Sequence, residues 1–283
     1  MTKKLIALDM DGTFLTSKGT ITEENRQAIL DARAAGHIVM LCSGRAHDAL
    51  LTFLKEEGLD NLPISGSNGS ITVVDGQIIH RAKMDIHSSK LLFNWFNAHK
   101  YPFKIYTDQG IFGPSDFFDR IEFELIATPP VDKTRHEIIE FMKEYARKNP
   151  PTYVDAFDQI PAEVEAFKFF VATFDPEKKA KVEAFAQEVG GLTVTSSFSD
   201  NVELSDAKGH KGTGLKAVAK HFNIPISNTI AIGDNFNDQG MLQAAGLSIA
   251  MGNAEEEIKE IADVVTLTND EHGVAHAIRT YVL

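Results

Sequence analysis

The run Lys4-Leu5-Ile6-Ala7-Leu8 stops at Asp9-Met10-Asp11-Gly12-Thr13, and that junction restricts the fold more than any other stretch of the chain. An apolar run this short, with no polar alternation, fits a strand buried on both faces. Strands of that kind belong to parallel sheets clothed by helices, and such sheets take their ligands at the carboxyl ends of the strands. Two carboxylates stand at that end here. Side chains alternate along a strand, so Asp9 and Asp11 start on the same side. Gly12 lets the backbone turn sharply and come close to a ligand. The pentapeptide alone also reads as an Asp-rich turn after a strand, and the rest of the chain has to decide between the two.

Two periods alternate through the first third. Thr22 can cap a helix that runs to about residue 35, with Glu23 and Glu24 favourable in its first turn and Gly36 at its stop. Residues 37–41 read as the next strand, followed by Ser43-Gly44-Arg45 and a helix through Leu50, Leu51 and Leu54. Strand, helix, strand, helix is the pattern of a parallel sheet with right-handed crossovers. Residues 63–65 give a third strand that leads into Gly66-Ser67-Asn68-Gly69, and residues 71–79 read as a hairpin turning at Asp75-Gly76. From Lys211 the alternation resumes with a helix. Thr229-Ile230-Ala231-Ile232 is another short buried strand, and it ends in Gly233-Asp234-Asn235-Phe236-Asn237-Asp238.

Between these two regions the chain is richer in aromatics and its elements come in a different order. A helix through Leu91, Leu92, Trp95 and Phe96 precedes short strands at 103–106 and 111–112. Helical patterns follow over 116–125 and 134–147, then a loop at Asn149-Pro150-Pro151. A strand at 167–174, a helix from Pro176 and strands at 192–195 and 202–204 complete the segment. The expected fold is α/β: a Rossmann-like parallel sheet core from residues 1–83 and 204–283, with an α+β domain inserted as residues 84–203. The aromatic stripes, including Trp95 and the Phe117-Phe118 pair, read as core.

Composition narrows the function classes. A net charge of −12 argues against general nucleic-acid or anionic-membrane binding. It also means that an anionic ligand needs local cations strong enough to overcome the global field. No apolar run approaches the about 20 residues that span a bilayer, and the charged N-terminus does not read as a signal peptide. The single cysteine, Cys42, excludes an internal disulfide framework and reads as a buried strand thiol. These features fit a cytoplasmic enzyme.

Two sheet strands thus end in acidic clusters, Asp9/Asp11 and Asp234/Asp238. If the strands are neighbours, several carboxylates converge and raise one another's pKa. A hard divalent cation would remove the conflict, and oxygen-only ligands favour Mg²⁺. Taken alone, Asp234 and Asp238 fit a helix-capping turn equally well. No Ser-His or Cys-His pair is suggested by spacing. Asp9 is the candidate nucleophile, since an aspartate can attack phosphorus and form an aspartyl-phosphate. Asp11 would protonate the leaving oxygen and later activate water. Ser43, the backbone at Met10 and Gly44, Lys211 and Asn237 are available to hold the phosphoryl oxygens, and Lys211 opens a helix, where the terminus is itself positive.

Taken in order, Asp9-Met10-Asp11-Gly12-Thr13, Ser43-Gly44-Arg45, Lys211-Gly212 and Gly233-Asp234-Asn235-Phe236-Asn237-Asp238 resemble the four motifs of the haloacid dehalogenase-like superfamily. The large insertion between the second and third resembles the cap of its Cof-type phosphatases, and Asn68-Gly69 and Met251-Gly252-Asn253-Ala254 also look like that subgroup. The resemblance implies Mg²⁺ on the Asp9 carboxylate, the Asp11 carbonyl and Asp234, with Asp238 supporting. It implies Ser43, Lys211 and Asn237 on the phosphate. It favours Lys211 over the nearby Lys208, because Lys211-Gly212 is the better match. The expected activity is Mg²⁺-dependent hydrolysis of small phosphate monoesters, sugar phosphates first, with no nucleic-acid or membrane partner. The alternatives are a phosphatase for a phosphorylated cofactor such as pyridoxal phosphate or FMN, and a phosphate-binding regulatory module without turnover. The inserted domain is the expected lid and the expected source of discrimination between leaving groups.

Overall fold

A computed structural model describes residues 2–127, 151–197 and 200–283, together with positions 137, 140, 143, 144 and 147, which are helical. Apart from those five positions, the helical pattern at 134–147 and the Asn149-Pro150 loop lie outside the described residues. The chain divides into two compact units, Met1–Ala82 with Lys208–Leu283, and Lys83–Ala207.

In chain order the strands are β1 (Leu5–Asp9), β2 (Ile38–Cys42), β3 (Ile64–Gly66), β4 (Ile71–Val74), β5 (Gln77–Arg81), β6 (Phe103–Thr107) and β7 (Gly110–Gly113). They continue as β8 (Thr152–Tyr153), β9 (Ala166–Ala172), β10 (Leu192–Thr195), β11 (Asn201–Asp206), β12 (Thr229–Gly233), β13 (Leu247–Ala250) and β14 (Val264–Val265). The first unit holds one sheet in the order β14-β13-β12-β1-β2-β3-β4-β5. It is parallel from β14 to β3 and ends in an antiparallel meander.

Leu5, Ile6, Ala7 and Leu8 are fully buried, as a strand covered on both faces requires. Leu5 pairs with both Ile38 and Thr229, and Leu8 with both Leu41 and Ile232. The three central strands therefore end level, and Asp9, Ser43 and Asp234 all leave the same edge of the sheet. The helices begin where the sequence expects them. Thr22 accepts the Asn25 N–H at 3.2 Å ahead of the helix Glu23–Ala34, whose Ala28, Ile29 and Ala32 face the core. The helix Gly273–Tyr281 packs beside it. Asp75 and Gly76 both take positive φ, 49° and 73°, the turn that matches a right-twisted hairpin. Among the described residues no helix is long and apolar enough to cross a membrane.

The second unit is built on a sheet ordered β10-β11-β9-β6-β7-β8, antiparallel except for β7 and β8. The helices Ile86–Ala98 and Pro176–Val189 cover one face, burying Phe93, Phe96, Phe103, Phe169 and Val182 together. Trp95 packs against this core between Tyr101 and Phe185, stacked at ring-centroid distances of 5.1 and 4.5 Å. Phe117 joins Ile121, Leu125 and Phe174 in a separate cluster.

Alternation along β6 turns Lys104 away from Phe103 and Ile105. Lys104 is 4% exposed and lies 4.6 Å from the Phe117 ring centroid. Burial lowers its pKa from the ordinary 10.5 to about 8. The folded state thus binds this proton less tightly than the unfolded chain does. The resulting cost is complete below pH 8 and fades as pH rises from 8 to 10.5. Lys104→Met should therefore stabilise the protein at neutral pH by about 1–3 kcal/mol, the pKa shift less the attraction of the ring. The gain should shrink toward pH 10.5 in urea unfolding. An equal gain at both ends of that window would mean that charge burial is not its source.

Candidate active site

The site begins where β1 stops. Asp9 is buried, and the chain folds back over residues Met10–Phe14 so that the Leu15 N–H donates to the Met10 carbonyl at 2.9 Å. Gly12 makes this turn possible at φ 86°, and a Cβ there would overlap the Asp234 carboxylate. The Asn253 side chain donates to the Gly12 carbonyl at 2.8 Å and fixes the turn from outside. Thr13 Oγ1 donates to Asp234 Oδ1 at 2.7 Å, which ties the first acidic motif to the last.

Lys211 is the first residue of the helix Lys211–His221 and is fully buried. Its Nζ donates to Asp9 Oδ1, and to Asp238 Oδ1 at 2.6 Å. Asp238 uses its other oxygen to accept the N–H groups of Asp234 at 2.9 Å and Asn235 at 3.1 Å. Of the two neighbouring lysines, Lys211 is the one packed against Asp9, whereas Lys208 is exposed.

Carboxylate oxygens of Asp9, Asp234 and Asp238 lie within 4.8 Å of one another. Burial, and then Asp238, Asp234 and Asp11, push the Asp9 carboxyl well above the usual carboxylate range while Lys211 pulls it back. Burial and Asp238 raise Asp234 to about 7, against the Thr13 hydrogen bond and Lys211. Burial opposes the Lys211 ammonium, but Asp238 and Asp9 outweigh it and its pKa is raised. The lysine thus bonds two of three neighbouring carboxyl groups, and the repulsion among the three is only partly compensated. A hard cation fits that donor set: Asp9 and Asp234 keep oxygens that no lysine holds, while both Asp238 oxygens already accept, one from Lys211 and the other from two backbone N–H groups.

Asp11 is placed apart from the three. Its side chain is 44% exposed and is gripped by the Arg45 guanidinium, Nη2 to Oδ1 at 2.5 Å and Nε to Oδ2 at 3.1 Å. Ser43 is buried at the end of β2; its N–H donates to the Ser65 carbonyl at 2.9 Å and its Oγ accepts the Arg45 N–H at 3.2 Å. Gly44 follows in the same loop. The Met10 side chain is fully buried in the core, so only its backbone belongs to the site. Asn237 Nδ2 donates to Asn68 Oδ1 at 3.4 Å. The structure thus joins Asp9, Lys211, Asp234 and Asp238 directly, and holds Asp11 and Asn237 through Arg45 and Asn68. Sequence reasoning assigned no role to Thr13, Arg45 or Asn253. Thr13 and Arg45 stood inside recognised motifs, whereas nothing in the sequence pairs Asn253 with Gly12, 241 residues away.

Burial raises the Cys42 thiol, which sits on the central sheet next to this cluster and stays protonated, a core residue and not a nucleophile.

A profile of haloacid dehalogenase-like hydrolases matches residues 6–278. The chain is 35% identical over 287 residues to Phosphatase YwpJ of Bacillus subtilis, covering 98% of this chain and 99% of the relative. It is 33% identical over 284 residues to 5-amino-6-(5-phospho-D-ribitylamino)uracil phosphatase YwtE of the same organism, covering 97% and 96%. Its fold is similar to that of a haloacid dehalogenase-like hydrolase from B. subtilis, with a TM-score of 0.87 at 33% identity, covering 99% of this chain and all of that one.

Proposed function

Because the chain belongs to the haloacid dehalogenase-like hydrolases and is a phosphatase among them, we propose that it hydrolyses small phosphate monoesters through an aspartyl-phosphate on Asp9. The observation that carries this reading is a buried carboxylate at the end of the central strand, held by a fully buried lysine. In the first half-reaction an Asp9 oxygen forms a bond to phosphorus as the bond to the ester oxygen breaks, and Asp11 gives that oxygen its proton. In the second, Asp11 takes a proton from water, the water oxygen bonds to phosphorus and the bond to Asp9 breaks. Asp11 must leave the Arg45 fork to do either. Lys211, Ser43, Asn237 and the backbone at Met10 and Gly44 hold the phosphoryl oxygens.

Asp9, the Asp11 carbonyl and Asp234 would hold Mg²⁺, with Asp238 supporting. The ion would supply positive charge against the phosphoryl oxygens and the excess carboxylates. Asp234→Ala should raise the Mg²⁺ concentration needed for half-maximal activity by at least about tenfold, and EDTA should silence the parent enzyme. Full activity in chelator would remove the metal from the account.

Sugar phosphates are the proposed substrates. The relative YwtE is named for a compound whose phosphate is carried on a ribityl chain, and a polyol-borne phosphate is common to sugar phosphates and to flavin-type cofactor phosphates. Cofactor phosphates are therefore the second reading. The phosphate-gripping residues address only what all monoesters share, so leaving-group discrimination is assigned to the inserted unit. A panel of sugar, polyol and cofactor phosphates, compared by kcat/KM with and without Mg²⁺, tests this. No turnover of any monoester in Mg²⁺ would leave the regulatory module as the better reading.

A further inference from the structure

β3 does not pass smoothly into β4. Between them Ser67, Asn68 and Gly69 all take positive φ, 48°, 57° and 97°. Two of the three carry side chains, for which this region is uncommon. Backbone held in such a state persists where its surroundings fix it, and it gathers at functional sites.

The surroundings here are the loops of the phosphate site. The Ser67 N–H donates to the Arg45 carbonyl at 2.8 Å, and the Asn68 N–H to the Ser43 carbonyl at 3.0 Å. Gly69 lies against the His210 carbonyl and the Lys211 N–H so closely that a Cβ has no room. Asn68 is 2% exposed, and its Oδ1 accepts from Asn237. One three-residue turn therefore touches the Ser43 loop, the start of the Lys211 helix and Asn237. Those three pieces come from distant parts of the chain and must converge on one phosphoryl group.

We propose that this turn sets the mutual placement of the phosphate-binding groups, and that Asn68 is a positioning residue acting through Asn237. Its carbonyl oxygen fixes which way the Asn237 amide faces and engages one of the two Nδ2 hydrogens, leaving the other directed by the same contact. Asn68 has no part in bond making or breaking. The inference rests on the phosphatase reading above, since it assumes that Asn237 meets phosphate.

Asn68→Gly separates positioning from architecture. Glycine accepts φ 57° without a steric cost, so the turn keeps its shape while the amide is lost. The expected result is a protein that stays folded with Tm lowered by no more than a few degrees, and with KM for an aryl phosphate and the inhibition constant of inorganic phosphate both raised about tenfold, the worth of one polar contact to a charged ligand. Asn237→Ala should do the same. Combined, the two substitutions should cost no more than Asn237→Ala alone, because each removes the same contact. Wild-type constants in a folded Asn68→Gly protein would make the turn purely architectural and overturn the proposal. Additive losses in the double variant would also overturn it, since Asn68 would then act without Asn237. If Asn68→Gly does not fold, Asn68→Ser, too short to reach Asn237, is carried through the same cycle. Lys211→Met serves as the control. If it leaves phosphate inhibition untouched, the phosphate site itself has been misplaced, an outcome distinct from a failure at Asn68.

Discussion

Asp9→Asn should yield a folded protein that no longer releases phosphate, with kcat reduced on the order of 10⁴- to 10⁶-fold, the range seen when a covalent nucleophile is removed. The substitution keeps the size and shape of the side chain and deletes the attacking charge. Folding should not suffer. In the parent protein the Asp9 carboxyl is pushed well above its ordinary range by burial and by Asp238, Asp234 and Asp11, so ionising it costs free energy. An amide ends that repulsion, and Lys211 still has Asp238 at 2.6 Å. Metal-free Tm should therefore be equal to or above that of the parent. The measurements are phosphate release in excess Mg²⁺, thermal unfolding, and acid quench of the parent with substrate followed by peptide mass analysis. The parent should carry a phosphoryl adduct on the peptide containing Asp9, and the variant none. Near-parental kcat in a folded variant would rule out the aspartyl-phosphate mechanism.

Lys211→Met should lose both stability and activity. Methionine fills the space of the lysine stem but leaves Asp9 and Asp238 buried without their cation. Removing one partner of a buried pair costs about 3–5 kcal/mol, because the orphaned charge stays desolvated. That should lower Tm in chelator by about 10 °C. The pH dependence follows from the signs. The Lys211 pKa is raised by folding, so its contribution is complete below the ordinary lysine pKa and is lost only when pH climbs past the raised value. Across ordinary pH the lysine stays charged, and the changes come from the carboxyls. Asp9 is already raised, and without Lys211 it rises further. Acid should neutralise it in the variant, so the stability gap between parent and variant should narrow as pH falls. Activity should drop for every phosphate ester alike if, as proposed, the lysine meets the phosphoryl group they share. A gap that widens in acid, or a loss confined to some substrates, would show that Lys211 has a different place in the chemistry.

The fold class, and the local signals that begin and end its elements, are legible in the residues alone. Leu5-Ile6-Ala7-Leu8 and Thr229-Ile230-Ala231-Ile232 have the length and unbroken apolar character of strands covered on both faces, and strands of that kind alternating with helices fit a parallel sheet. Thr22 and Asp75-Gly76 act through bonds and φ angles within a few residues, so their effects are written locally. The residue types at the strand ends were equally legible, because acidic turns after buried strands stand out from their neighbours.

What the sequence could not carry is who meets whom at those ends. Lys211 is 202 residues from Asp9, and Thr13 is 221 from Asp234. Their contacts exist because the sheet order places β12, β1 and β2 side by side, a choice made by packing over the whole unit. The same holds for side-chain direction. Strand alternation would start Asp9 and Asp11 on one side, but β1 ends at Asp9 and Asp11 lies in the turn after it, so one carboxylate faces Lys211 and the other Arg45, a residue 34 positions away. The positive φ values of Ser67 and Asn68 were also unreadable. Either residue is comfortable elsewhere in conformational space, and only the Ser43 loop and the Lys211 helix, once folded, force them out of it.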